Sequence, residues 1–149
     1  VIAANLLGLL FGLRKNGCQA FGSDLRLHIP LNSLYTYPDV TIICGKPEFL
    51  DPQQDTIINP LIFFKILSPS TEKYDRGKKF MLYRSISSLQ EYILIDSQYR
   101  LIEKYTRNSD NHWILTDYKQ PEDNVIFNSI PYKLTVEEIY SATVDLQVV

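Results

Sequence analysis

The sequence predicts a single α/β (α+β) domain over residues 1–149, built as a mixed β-sheet flanked by helices. Three observations carry that expectation. The chain has 149 residues, enough for one domain with a real core and too few for two comfortable ones. A hydrophobic content of 45% argues against disorder, and ten Tyr with seven Phe favour strands and broad aromatic packing. Helical patterns at both ends and near residue 80 are separated by alternating or continuous apolar runs of strand length.

Residues 1–15 read as the first helix. Apolar positions nearly encircle it, so it should pack on several sides. Asn16-Gly17 ends it, since both residues tolerate a left-handed cap. The apolar stretch 2–13 is too short for a bilayer, which needs about 20 residues, and it lacks the basic n-region of a signal peptide. No membrane association is expected. Residues 19–29 read as a strand with Leu25, Leu27 and Ile29 alternating, and residues 30–38 as a turn region. Residues 39–44 (DVTIIC) form a strand rich in β-branched side chains. The longest loop, 45–60, is punctuated by prolines and carries Glu48, Asp51 and Asp55.

Residues 61–67 (LIFFKIL) are apolar on both faces apart from one lysine, the pattern of a central, buried strand. Ser68-Pro69-Ser70-Thr71 stops that strand and offers hydroxyl caps to a helix over 74–85. Strands at 91–96, 101–107 and 113–119, separated by short turns, predict an antiparallel meander. Thr135 opens a short C-terminal helix, and Glu137 and Glu138 in its first turn suit the positive end of the helix dipole.

The net charge is −2, so no global positive field draws the protein to nucleic acid, and any DNA contact must come from a local basic patch. This balance leans toward a structural module over simple DNA binding. Cys18 and Cys44 lack metal-ligand spacing and would pair only if the fold brought them together. Both are read as reduced packing residues, which suits a cytoplasmic location.

Three signals carry chemistry. Pro38-Asp39 places an acid at the mouth of a buried strand, where it could hold a hard cation through oxygen; the bland alternative is a turn Asp after a Pro. Lys65 breaks the apolar pattern of its strand. A buried, unpaired ammonium costs several kcal/mol (~5) or loses its proton, and such local rule-breaking often marks a site; the bland alternative is an edge lysine that snorkels to solvent. The third signal is the basic helix with Lys73, Arg76, Lys78, Lys79 and Arg84. At about 100° per residue, Lys79 lies roughly 40° from Tyr83, while Lys78 lies roughly 160° from Phe80 and 140° from Tyr83. If Phe80 and Tyr83 face the sheet, Lys79 leans inward and Lys78 points to water. Lys73 and Lys78 are read as a solvated basic face.

The segments PDVTIICG, ILSPSTEKYDRGKKFMLYRSI and LQEYILID resemble the Uma-type restriction endonucleases of the PD-(D/E)xK nuclease superfamily. LSPST followed by DRGxKxxxYR is the specific part, and the likeness runs from the first helix to the last. The resemblance implies a restriction-endonuclease-like core, further residues before Val1 including an opening hairpin, Mg²⁺ as cofactor, and DNA phosphodiesters as substrate. It implies Asp39 as metal ligand, Lys79 as the lysine that supports the attacking water or the phosphate, and a glutamate in the next buried strand. That last position holds Lys65. An ammonium there removes a ligand and adds repulsion to a cation, and Lys65 could instead pair with Asp39. Asp24, Glu48, Asp51 or Asp55 are candidate substitute ligands. Three readings follow: a metal-dependent endonuclease acting on DNA phosphodiesters, active or weakly active, with a degenerate active site; a catalytically inactive nuclease-fold module for binding or assembly; or a structural or regulatory oligomer with no nucleic-acid role. A homo-oligomer is the expected state.

Overall fold

Apolar spacing sets the first element. In the computed structural model, which describes residues 1–53, 55–70 and 77–148, helix α1 (Ile2–Leu10) runs into a 3-10 turn (Phe11–Asn16). Gly17 closes it at φ 75°, in the left-handed region where glycine is free of steric penalty. Ile2, Leu6, Leu10 and Leu13 are buried, one stripe at helical spacing, while Phe11 is exposed. Half-buried Ala3, Leu7 and Leu9 flank that stripe and pack against the same core, so the buried arc of the helix is broad and Phe11 lies outside it.

The strands are β1 (Cys18–Phe21), β2 (Arg26–Ile29), β3 (Leu34–Thr36), β4 (Val40–Cys44), β5 (Thr56–Ile57), β6 (Ile62–Leu67), β7 (Glu91–Asp96), β8 (Ile102–Arg107), β9 (Trp113–Tyr118), β10 (Asn124–Ile126) and β11 (Lys133–Thr135). Helix α2 is Lys78–Tyr83 and α3 is Val136–Ile139. Six strands form the main sheet in the order β1-β4-β6-β7-β8-β9. Only β6 and β7 run parallel; the other neighbours are antiparallel. A parallel pair needs a crossover, and residues 68–90, which include α2, supply it. The meander β7-β8-β9 and the interior place of β6 are as the sequence predicts.

Other expectations change. Residues 19–29 are two strands in two sheets, because Gly22-Ser23-Asp24 turns the chain and Leu25 N donates to Gly22 O. The turn region 30–38 hides β3, which pairs with β2, and the long loop hides β5, which runs parallel to β2; together they form a sheet ordered β3-β2-β5. The cap residue Thr71, the helix start at Tyr74, and Lys73 and Arg76 of the basic face lie outside the described residues. Among the described residues no helix is long and apolar enough to cross a membrane.

The main sheet divides two cores. One face (Val40, Ile42, Ile62, Phe64, Ile93, Ile95) packs against α1, α3 and the β10–β11 hairpin. The other (Ile43, Phe63, Leu67, Tyr92, Leu94) packs against α2 and the β3-β2-β5 sheet. The capping box at Thr135 and Glu138 fixes the start of α3. Tyr140 then anchors its end: the hydroxyl donates toward Asp96 O at 2.7 Å, and burial holds its pKa well above the ordinary phenol value.

A buried ion pair ties the first core together. Glu91 and Lys104 lie side by side with Oε2–Nζ at 3.3 Å and side chains 0% and 5% exposed. Glu91 Oε1 also accepts from Asn128 N, Ser129 N and Ser129 Oγ, so the carboxylate clamps the 126–129 segment to the sheet. Every charge here has hydrogen-bond partners, the condition for tolerating it in a core.

The cysteines require a correction. Cys18 and Cys44 sit opposite one another in the β1–β4 register and are joined as a disulfide. They are not reduced packing residues, and the argument for a reducing compartment falls with them. The bond ties the edge strand β1 to β4, the strand that follows Asp39. Cys18→Ser should lower stability by about 2–4 kcal/mol, read as an earlier thermal melt, and dithiothreitol should reproduce the effect in the parent. Two titratable thiols in unreduced, denatured protein would contradict the pairing.

Candidate functional site

Pro38 ends the extended chain before β4, and Asp39 follows at the mouth of that strand. Its backbone N–H donates to Phe64 O at 3.0 Å. Its carboxylate turns toward β6 and Oδ2 accepts from Ile66 N at 2.7 Å, taking the place of a ladder carbonyl where β4 begins. Asp39 is thus half-buried and committed through one oxygen to the strand that carries Lys65.

Lys65 is not an edge lysine. It lies on β6 between β4 and β7, opposite Leu94, and is half-buried. The two-residue alternation of the strand sets it on the face of Phe63 and Leu67, the side covered by α2. The β4–β6 register pairs Val40 with Phe64, so one step further sets Asp39 across from Lys65. Thr41, across from Phe63, is 0% exposed, and its hydroxyl has no hydrogen-bond partner among the described residues.

Helix α2 lies over this face because Leu82 and Tyr83 enter its core. Phe80 packs on Tyr105 at 4.2 Å between ring centroids, and Tyr83 meets Phe63 edge-on at 4.8 Å. The Tyr83 hydroxyl shares a hydrogen bond with Thr36 Oγ1 at 3.2 Å. With Phe80 and Tyr83 turned to the sheet, Lys79 is half-buried and Lys78 is exposed, the difference the angular count predicts. Asp39, Lys65 and the helix bearing Lys79 thus converge on one region of the fold.

Among the described residues the donor set does not fit a two-carboxylate magnesium site. Among the described residues no group of three His, Cys, Asp or Glu side chains is placed to hold a metal ion. The position across from Asp39 offers an ammonium, which cannot coordinate a cation. Of the suggested substitutes, Asp55 pairs with Arg26 at 3.0 Å, Glu48 is exposed and bonded to Asn59, Asp51 is in the loop before β5, and Asp24 is in the turn between β1 and β2. Asp39 and Lys65 make no ion pair among the described residues, so the expected substitution of a salt bridge for the metal is not formed.

Sequence reasoning passed over three groups. Thr41 looked like one β-branched strand residue among several. Glu91 looked like the polar opening of a strand, although the register with Thr106 puts it inside. Arg107 looked like a strand end before a turn. For Thr41 and Arg107 the available signal was alternation read jointly across paired strands, which needs the register.

Comparison with known proteins agrees with this architecture. The family model described as "Uma2: Putative restriction endonuclease" matches residues 1–142. Two proteins of Synechocystis sp. are similar: uncharacterized protein sll1609 is 40% identical over 114 residues, 76% of this chain and 63% of its own. Uncharacterized protein slr1290 is 37% identical over 123 residues, 83% of this chain and 63% of its own. The chain thus spans less than two thirds of the length of these relatives. A crystal structure of a putative nuclease belonging to DUF820 from Anabaena variabilis superposes with a TM-score of 0.73 at 17% identity, over 94% of this chain and 78% of that one. At that identity the likeness is one of fold.

Proposed function

The chain belongs to the Uma2 restriction-endonuclease family, and from that premise we propose that it is a degenerate nuclease which holds the DNA phosphodiester backbone without metal-dependent cleavage. The observation that carries this reading is the position of Lys65: interior on β6, across from Asp39, on the face covered by α2. In an intact site of this family, two carboxylates would hold Mg²⁺ against the phosphate, and the metal would activate water and offset developing charge. Here an ammonium stands where a ligand would, so the attraction for phosphate remains and the coordination does not. Lys79, leaning inward from α2, adds a second cation. Lysine binds phosphate as a point charge, without the geometric demands of coordination. Asp39 retains a structural task, holding Ile66 N where β4 begins.

Two experiments test this. Plasmid DNA incubated with the protein in Mg²⁺ or Mn²⁺ should show no nicking above an EDTA control. Metal-dependent nicking that disappears in Asp39→Asn would overturn the reading. Lys79→Gln should weaken binding of a short duplex severalfold and lower the slope of log K against log salt by about 1, whereas Lys78→Gln should change the affinity less.

A further inference from the structure

A second basic site lies at the C-terminal end of α2. A pocket of about 300 Å³ is lined by Met81, Arg84, Ser85, Arg107, Asn111 and Trp113. Arg107 is held in place before any ligand arrives. Its Nη1 donates to Asn111 Oδ1 at 3.0 Å, its Nη2 to Ile86 O at 3.1 Å and Arg84 O at 3.3 Å, and its guanidinium lies 4.8 Å above the Trp113 ring. Arg84 reaches across Phe80, 5.2 Å from the ring centroid, and Phe80 in turn meets Trp113 edge-on. The loop that presents Asn111 is itself braced, since Asn108 Oδ1 accepts from both Asp110 N and His112 N.

Among the described residues neither Arg84 nor Arg107 has an acidic partner, in a chain whose net charge is −2. Burial pulls the Arg107 guanidinium below its ordinary pKa, and its Nε is buried with no acceptor among the described residues. The exposed Arg84 guanidinium can match phosphate oxygens in a planar fork, while Arg107, with both Nη2 protons and one Nη1 proton already donated, contributes a fixed positive charge and its remaining Nη1 proton. Helical geometry relates this pocket to the first site: Arg84 lies about 140° around α2 from Lys79, so the helix carries cations toward two flanks.

We propose that the Arg84–Arg107–Asn111–Trp113 pocket is a phosphate-contact site for the DNA backbone, so that bound DNA crosses α2 and is held on both sides of it. This rests on the reading of the chain as a DNA-binding nuclease relative. Trp113, the only tryptophan of the chain, is a built-in reporter of the pocket.

The experiment titrates the whole chain with a fluorescein-labelled 20-base-pair duplex followed by anisotropy, and with the unlabelled duplex followed by Trp113 emission. The expected result is that Trp113 emission changes with the same midpoint as anisotropy. Arg84→Gln, an exposed substitution that should leave folding intact, should weaken binding severalfold, lower the salt slope by about 1 and reduce the emission change. Arg107→Lys should weaken binding too, since lysine cannot make the three hydrogen bonds that fix the charge over Trp113, with circular dichroism confirming its fold. If the duplex binds, Lys79→Gln weakens it, and Trp113 emission and Arg84→Gln are silent, the pocket proposal is overturned while the functional reading stands. If no duplex binds by anisotropy, both fall.

Discussion

Lys65→Glu should leave the protein less stable than the parent in EDTA and should return that stability when Mn²⁺ is added. The substitution places a carboxylate across from Asp39, on an interior strand. Two close carboxylates repel and cannot both ionise cheaply, so the cation-free protein pays for the pair. A divalent cation between them removes the penalty. At a metal concentration about 100 times Kd, linkage contributes about 2.7 kcal/mol, which for a domain of this size is a rise in Tm of roughly 5–10 °C. The parent, with an ammonium at the same place, should show little response to Mn²⁺. Thermal melts of both proteins with EDTA and with a Mn²⁺ series read this directly. A parent that responds strongly, with Lys65→Glu changing nothing, would mean that Lys65 lies outside the site. Thermal response is the safer readout than nicking, because activity asks more of the chain than metal affinity does.

The second large effect is expected far from the candidate site. Lys104→Met removes the cation that faces Glu91 and leaves a carboxylate inside the core with only hydroxyl and backbone partners. Breaking one side of a buried pair costs about 3–5 kcal/mol, whereas replacing both partners with apolar groups is often nearly neutral. Lys104→Met should therefore lower Tm by roughly 10 °C, and Glu91→Leu added to it should recover part of the loss. Equal melting of parent and Lys104→Met would show that the pair contributes nothing, and that Asn128 and Ser129 alone satisfy Glu91.

Parts of this arrangement were legible in the chain and parts were not, for physical reasons. Lys65 stood out because a charged residue inside LIFFKIL violates the pattern of a doubly covered strand, and the strand is interior. The inward lean of Lys79 followed from helical angles alone, since Phe80 and Tyr83 had to face the sheet. The β3-β2-β5 sheet did not show, because strands of two to four residues between prolines and glycines carry too little periodicity to be told from turns. The cystine did not show because Cys18 and Cys44 meet only through the β1–β4 register. Glu91 gave no signal, because a single polar residue at a strand end is ordinarily solvated. Arg107 failed likewise: its partners Arg84, Ile86 and Asn111 come from the end of α2, the segment after it and the β8–β9 turn.

On the proposed reading, lysine charge has taken over the phosphate-holding task of a metal. The direct measurement is duplex affinity by anisotropy in EDTA, repeated with Mg²⁺ at matched ionic strength. The expected result is binding in EDTA that weakens steeply with monovalent salt, falls in Lys65→Gln, and gains nothing from Mg²⁺ beyond screening. Binding that appears only when Mg²⁺ or Mn²⁺ is present, and that Lys65→Gln leaves unchanged, would contradict it.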